Sequence, residues 1–168
     1  MLGMANNLRI GCKSKAPDTL KLFYENGVEY VDFEAGYCSG AGSQSKEATY
    51  LQMVNTADTS QFRGNVKTYV SSKPINVTDL VTIKAICTCI TENATAHTRV
   101  GIARFKDEAI WSNTVEAEFS QTLNGPGEDL TQTLFVNTLS GMYYIIVSIL
   151  EAATTGDTTL RVSKIWAT

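Results

Sequence analysis

The sequence has little histidine, cysteine, proline and charge. It contains one histidine, His97, four cysteines and three prolines in 168 residues, and only 18% of its residues are charged. Histidine, cysteine and charged residues are the types that catalytic and metal sites usually require. A single imidazole, without a Gly-x-Ser-x-Gly motif or a His-x-x-x-His pair, does not predict a hydrolytic triad or a zinc enzyme. Because the sequence has neither a glycine-rich phosphate loop nor a dinucleotide-binding fingerprint, we expect no cofactor.

Charge and hydropathy exclude two classes of partner. The net charge is −3, so the chain lacks the positive field that attracts a phosphate backbone, and we expect no nucleic acid as a partner. The longest apolar run, Met142 to Leu150, is far shorter than the ~20 residues of a membrane-spanning helix. The N-terminus has no basic region followed by an apolar stretch, the pattern of a secretory signal. We therefore expect no membrane partner.

The cysteines have two interpretations. Cys87 and Cys89 are two residues apart, so a strand would place both thiols on one face, and with Cys12 or Cys38 they could form part of a soft-metal site. No second closely spaced Cys/His pair exists, although a structural zinc site normally uses such pairs. We therefore interpret Cys87 and Cys89 as buried free thiols and expect no metal.

Alternation of apolar and polar residues predicts strands through most of the chain. It is clearest from Val81 to Cys89, where every second residue is apolar. The composition predicts further strands at Val28–Phe33, Tyr50–Val54, Val66–Val70, Val100–Phe105, Val115–Phe119, Leu130–Val136, Met142–Leu150 and Leu160–Trp166.

Turn signals between these strands complete the predicted fold. The glycine-rich stretch from Ala35 to Gly42 predicts a surface loop, and Asn124 to Gly127 predicts a turn. By composition and spacing, the last two strands form an antiparallel hairpin. Eight or nine short strands without helical periodicity predict an all-β fold, an antiparallel β-sandwich of the jelly-roll type.

The first twenty residues differ from the rest and show no sustained period. They hold Arg9, Lys13 and Lys15 against a single acid, Asp18. We predict an extended N-terminal arm over residues 1–20 and a sandwich domain over residues 21–168. The arm is either an unstructured terminus or a basic docking segment that orders on a partner.

Carboxylates and aromatic residues supply the remaining candidate sites. Glu116 and Glu118 would lie on one strand face roughly 6.5–7 Å apart, a separation known from glycosidases, but alternation places that face in solvent, where a catalytic acid works poorly. Tyrosines and tryptophans could stack against sugar rings. We expect Trp111, beside a loop, to be available for stacking, and Tyr144 and Trp166 to pack inward.

The order of the aromatic motifs resembles the β-sandwich domains of structural proteins from tailed bacteriophages and prophages. The likeness rests on the opening Leu22–Asp32 segment, the Ala35-Gly36-Tyr37 turn, the Gly141-Met142-Tyr143-Tyr144 strand and the final Val162-Ser163-Lys164-Ile165-Trp166. Tyr37 stands where such domains usually have tryptophan. No catalytic residues come with this resemblance.

The resemblance implies a non-enzymatic virion protein, most simply a capsid-decorating or head-appendage protein on the particle surface. It implies other virion proteins as partners, a homo-oligomer, and assembly in the host cytoplasm. The alternative is a carbohydrate-binding module, or a receptor-binding tail-fibre or baseplate domain, that recognises host-surface glycans. A glycan-cleaving enzyme using Glu116 or Glu118 is the least favoured hypothesis.

Overall fold

The strands form two antiparallel sheets. A computed structural model describes residues 20–56, 66–90, 96–106, 117–124, 127, 129–151 and 157–168, which contain thirteen strands and no helix. The first sheet consists of β1 (Lys21–Glu25), β2 (Val28–Glu29), β4 (Gly42–Lys46), β5 (Leu51–Asn55), β8 (Thr82–Cys89), β11 (Asp129–Phe135) and β13 (Thr158–Ala167). The second consists of β3 (Phe33–Ser39), β6 (Val66–Ser71), β7 (Ile75–Asn76), β9 (Ala96–Ala103), β10 (Ala117–Asn124) and β12 (Met142–Glu151).

Strand β13 organises the first sheet. One of its edges pairs with β8, which pairs with β11. The other edge pairs with β5 along its first half and with β1 along its second half. In the second sheet the order is β10-β9-β12-β6-β3. The predicted antiparallel β-sandwich is therefore confirmed.

The core lies between the two sheets and consists of their inward side chains. The alternation predicted for β8 is confirmed, because Ile83, Ala85, Cys87 and Cys89 are all fully buried in this core. Strand β12 contributes every second residue from Tyr143 to Ile149. Burial of this apolar surface is the main force that holds the sheets together.

The last two strands do not form the predicted hairpin. Strand β12 pairs with β6, β7 and β9 in the second sheet, whereas β13 pairs with β1, β5 and β8 in the first. The connection therefore crosses from one sheet to the other. Two successive strands have the same sequence pattern whether they pair with each other in a hairpin or belong to different sheets, so the sequence does not distinguish the two arrangements.

The glycine-rich stretch is also not the surface loop that the sequence predicts. Residues Ala35 to Ser39 belong to β3, and β4 begins at Gly42. Gly40 and Gly42 have positive φ values of 70° and 127°, which favour glycine, so the turn is confined to the chain between these two residues. The buried Lys67 ammonium holds this turn by donating to the Ser39 carbonyl at 2.7 Å.

Several sequence predictions fall outside the described residues. They include the arm residues Arg9, Lys13 and Lys15, and also Cys12, Trp111 and Glu116. No helix in the described part of the chain is long and apolar enough to cross a membrane.

Candidate ligand-binding face

The outward side of the first sheet is lined by side chains that are at least partly exposed to solvent. The backbone register arranges fourteen of them in three neighbouring cross-strand rows. The rows are Thr133, Lys84, Trp166 and Leu22; then Thr131, Ile86, Lys164, Glu25 and Val28; then Asp129, Thr88, Arg161, Gln52 and Ser45. We call this surface the open face.

A β-bulge in β13 places Trp166 on the open face. The pairing between β13 and β8 shifts register between Val162 and Lys164. Before the shift Leu160 and Val162 face the core, and after it Ile165 and Ala167 do. Because an extra residue reverses the alternation, Trp166 faces outward. The expectation that Trp166 packs inward is therefore wrong.

The expectation for Tyr144 is wrong as well. Its neighbour Tyr143 faces the core, whereas Tyr144 packs with Val70, Ala103 and Ile146 on the outward side of the second sheet. Strand β12 is apolar on both sides, so its sequence does not reveal which alternate residues face the core.

Two aromatic–cation pairs lie on the open face. The guanidinium carbon of Arg161 lies 4.4 Å from the centroid of the Tyr50 ring, and Arg161 Nε donates to Gln52 Oε1 at 3.3 Å. The Lys164 ammonium lies 5.4 Å from the centroid of the Trp166 ring and donates to Glu25 Oε1 at 2.6 Å. Each pair combines a flat π surface with N–H donors beside it.

Both pairs depend on the same strand. Arg161, Lys164 and Trp166 belong to β13, while Tyr50 directly precedes β5, which pairs with the first half of β13. Trp166 lies five positions after Arg161 in the sequence, so the two pairs lie roughly 13–17 Å apart along the strand. That length suits an extended ligand better than a single small ring.

The three cysteines in the described part of the chain, Cys38, Cys87 and Cys89, do not come together in one metal site. Cys87 and Cys89 are buried in the core, and Cys38 is exposed on β3 in the other sheet. Burial raises the pKa of the Cys87 thiol to about 12, so it stays protonated at neutral pH and is a poor metal ligand. The described residues contain no group of three or more His, Cys, Asp or Glu side chains that could hold a metal ion.

The remaining predicted residues are only partly placed. The backbone of His97 belongs to β9 and pairs with Leu150, and that of Glu118 belongs to β10 and pairs with Ile102. The side chains of His97 and Glu118 lie outside the described residues, so a site that uses them stays untested.

The sequence did not reveal most residues of the open face. Tyr50 is one of the tyrosines and tryptophans that could stack against sugar rings, but Trp166 was expected to pack inward, and no role was predicted for Arg161, Lys164 or Gln52. A signal for Arg161 was present, because this cation alternates with the apolar Leu160 and Val162. The bulge, which sets the position of Trp166, has no comparable signal.

Comparison with solved structures finds the same sandwich in carbohydrate-binding modules. A family 29 carbohydrate-binding module solved with mannohexaose matches with a TM-score of 0.51 and 11% identity, over 90% of this chain and 92% of that one. A structure described for carbohydrate-binding modules of the β-sandwich superfamily matches with a TM-score of 0.55 and 15% identity, over 89% of this chain and 62% of that one.

An enzyme structure also contains a region of this shape. An agarase matches with a TM-score of 0.56 and 8% identity, over 89% of this chain and 24% of the agarase. At such low identities the likeness establishes the fold. No protein-family model and no curated protein matches the sequence. The resemblance to phage structural domains is untested by these comparisons and stays a prediction.

Proposed function

We propose that this chain is a non-catalytic glycan-binding module and that its open face contacts the sugar. The fold alone does not establish a function, so the proposal rests on the site. The observation that supports it is the placement of Tyr50 with Arg161, and of Trp166 with Lys164, on one partly exposed sheet surface. The fold shared with carbohydrate-binding modules agrees with this assignment.

The chemistry of the two pairs matches the surface of a sugar ring. A pyranose has an apolar face of C–H groups and a rim of hydroxyl groups. The π surfaces of Tyr50 and Trp166 suit the apolar face, while the N–H groups of Arg161 and Lys164 and the amide of Gln52 can bond to the rim. A few polar groups placed beside aromatic side chains are typical of small-molecule recognition.

The geometry of the open face does not favour sugar cleavage. Its two carboxylates, Glu25 and Asp129, lie on β1 and β11, which are separated by β8 and β13. Three strand spacings put them roughly 14 Å apart, beyond the ~5–9.5 Å between the catalytic carboxylates of glycosidases. Each also accepts a hydrogen bond, Glu25 from Lys164 and Asp129 from Thr88.

The location of the protein is a separate proposal, which rests on the resemblance to phage structural domains. A glycan-binding face on a virion appendage would contact the host surface, so the two proposals are compatible. They can fail independently, because a glycan-binding module needs no virion.

Binding of soluble polysaccharides to matched variants tests the proposed function. We would measure retardation on gels containing β-mannan, xylan or agarose, followed by titration calorimetry with the oligosaccharide of any polymer that binds. Trp166→Ala should weaken binding about tenfold, as expected for loss of ~1–1.5 kcal/mol of aromatic contact.

Phe105→Ala provides the matched control. Phe105 is 62% exposed and follows β9 of the second sheet, so its loss should leave glycan binding unchanged. Thermal unfolding of both variants would show that they fold. Equal binding by wild type and the Trp166→Ala/Tyr50→Ala double variant would contradict the assignment of the open face.

A further inference from the structure

The charges on the open face are arranged with cations in the centre and acids at the sides. The two central strands, β8 and β13, contribute three cations to the three rows, Lys84, Arg161 and Lys164. The carboxylates, Glu25 and Asp129, lie on the flanking strands β1 and β11. The centre of this face is therefore positive although the chain as a whole has a net charge of −3.

Two of the three cations keep hydrogen-bond donors for a ligand. Lys84 forms no ion pair or hydrogen bond with any of the described residues, and it lies directly across from Trp166 in the first row. Arg161 donates through Nε to Gln52, while its two terminal nitrogens donate to nothing within the described ranges. Lys164, in contrast, is neutralised by Glu25 at 2.6 Å.

The two available cations are separated along the sheet. Arg161 pairs with Thr88, which is four residues from Lys84 on β8, so the two cations lie roughly 13 Å apart. Each is next to an aromatic residue: Lys84 is the cross-strand neighbour of Trp166, and the guanidinium of Arg161 lies over the Tyr50 ring. A cation beside an aromatic residue thus occurs twice, which suits a polymer whose anionic groups recur.

We propose that the open face selects acidic oligosaccharides, with uronate or sulfate groups accepted by Lys84 and Arg161 while the sugar rings stack on Trp166 and Tyr50. This inference rests on the proposed function and specifies its ligand class. The planar guanidinium of Arg161 can donate two parallel hydrogen bonds to a carboxylate or sulfate, and the Lys84 ammonium acts as a point charge. An acidic protein segment would satisfy the cations but not the spacing of ring and charge.

Matched polymers test this selection. Polygalacturonate and its fully methyl-esterified form share one backbone and differ in charge, and dextran sulfate and dextran form a second pair. We expect the wild-type chain to bind at least one acidic polymer about tenfold more tightly than its neutral counterpart, as one charge-assisted hydrogen bond allows. Preference within the first pair identifies uronate as the recognised group, and preference within the second identifies sulfate.

Charge-removing variants show whether Lys84 and Arg161 are responsible. The Lys84→Gln/Arg161→Gln double variant should lose the preference for the acidic polymer. Lys73→Gln, which removes an exposed charge between β6 and β7, should keep it. An equal loss in both variants would indicate simple ion exchange and overturn the inference.

The polymer series also separates the two proposals. Equal affinity for an acidic polymer and its neutral counterpart would overturn the selection of acidic sugars while supporting the proposed glycan-binding function. Failure to bind any neutral or acidic polymer, including β-mannan, xylan and agarose, would overturn both. Binding to an acidic peptide but to no glycan would also reject both and favour a protein partner.

Discussion

The outward faces of the two sheets differ in their contact with solvent. On the second sheet, outward residues in β6 and β12 such as Thr68, Val70, Ile146 and Ser148 are at most 2% exposed. On the first sheet, every residue of the three rows of the open face is at least partly exposed. The central strands β6 and β12 of the second sheet are therefore buried on both sides at these positions, whereas the first sheet has a surface exposed to solvent.

The amino-acid patterns of the strands agree with this difference in solvent exposure. Strand β12 is almost continuously apolar from Met142 to Leu150, as expected for a strand buried on both faces. In β13 polar residues alternate with Leu160 and Val162, as expected for a strand with one solvated face. Arg99 faces outward from the second sheet and is also buried. Burial disfavours its charged form and therefore lowers the pKa of its guanidinium.

The inward faces of the two sheets, by contrast, are both buried. We expect the largest effect on stability at alkaline pH, where buried groups from both inward faces are involved. Burial raises the pKa of Cys87 from the first sheet and of Tyr69 from the second to about 12, above the ordinary values of 9.0 and 10.0. At a pH between the ordinary pKa and the raised pKa of each group, Cys87 and Tyr69 are deprotonated in the unfolded chain but still protonated in the folded chain. The free energy of unfolding should therefore fall as the pH rises from about 9 to about 12.

Urea unfolding across that pH range measures the effect. The Cys87→Ala/Tyr69→Phe double variant should show a shallower decline than the wild type, because neither group is left to ionise. Parallel declines in the two proteins would show that neither buried group causes the alkaline instability.

A matched pair of isoleucines gives the next largest effect and tests the difference between the outward faces. Ile146 is fully buried on the outward side of the second sheet, whereas Ile86 is only partly buried on the open face. Ile146→Ala should cost about 2–5 kcal/mol of unfolding free energy, and Ile86→Ala roughly 1 kcal/mol, because less apolar contact is lost. Equal losses in urea unfolding would mean that the two faces are equally covered.

Gly36 offers a smaller test of the covered face. A Cβ atom at this position would come within 2.5 Å of Thr68 Oγ1 and 3.1 Å of Val70 Cγ1, so the neighbouring strand β6 leaves no room for a side chain here. Gly36→Ala should cost about 1–3 kcal/mol through overpacking. Its control is Ala35→Ser at the exposed neighbouring position, which should shift stability by no more than about 0.5 kcal/mol. A melting temperature unchanged by Gly36→Ala would contradict the close packing.

The ion pair between Lys164 and Glu25 on the open face should have the smallest effect. Both side chains are partly exposed, so water and salt weaken their attraction. Glu25→Gln should reduce the free energy of unfolding by about 0–1 kcal/mol, measured in urea at low and high salt. A loss much above this range that persists in high salt would show that the pair is effectively buried.

The sequence was sufficient to predict the fold class but not the faces of particular residues. Alternation in β8 correctly placed Ile83, Ala85, Cys87 and Cys89 in the core, because a regular strand maintains its period of two. The position of Trp166 could not be deduced because the bulge before Lys164 depends on pairing with a distant strand.

The connections between strands and the residues of the open face were harder to predict for the same reason. The crossing from β12 to β13 depends on which partner strands each one finds, and this is a long-range property. Tyr50 and Arg161 meet because β5 pairs with β13 across more than a hundred residues of sequence. Local composition therefore does not indicate that these two side chains are in contact.

A nuclear magnetic resonance titration tests the central claim that the open face of the first sheet binds glycan. Isotope-labelled wild-type chain would be titrated with the oligosaccharide selected by the polymer series. We expect the shift changes to concentrate on outward positions of β8 and β13 and at Tyr50, while β6 and β12 remain unchanged. Changes concentrated on the outward side of β6 and β12, with Trp166 unaffected, would contradict it.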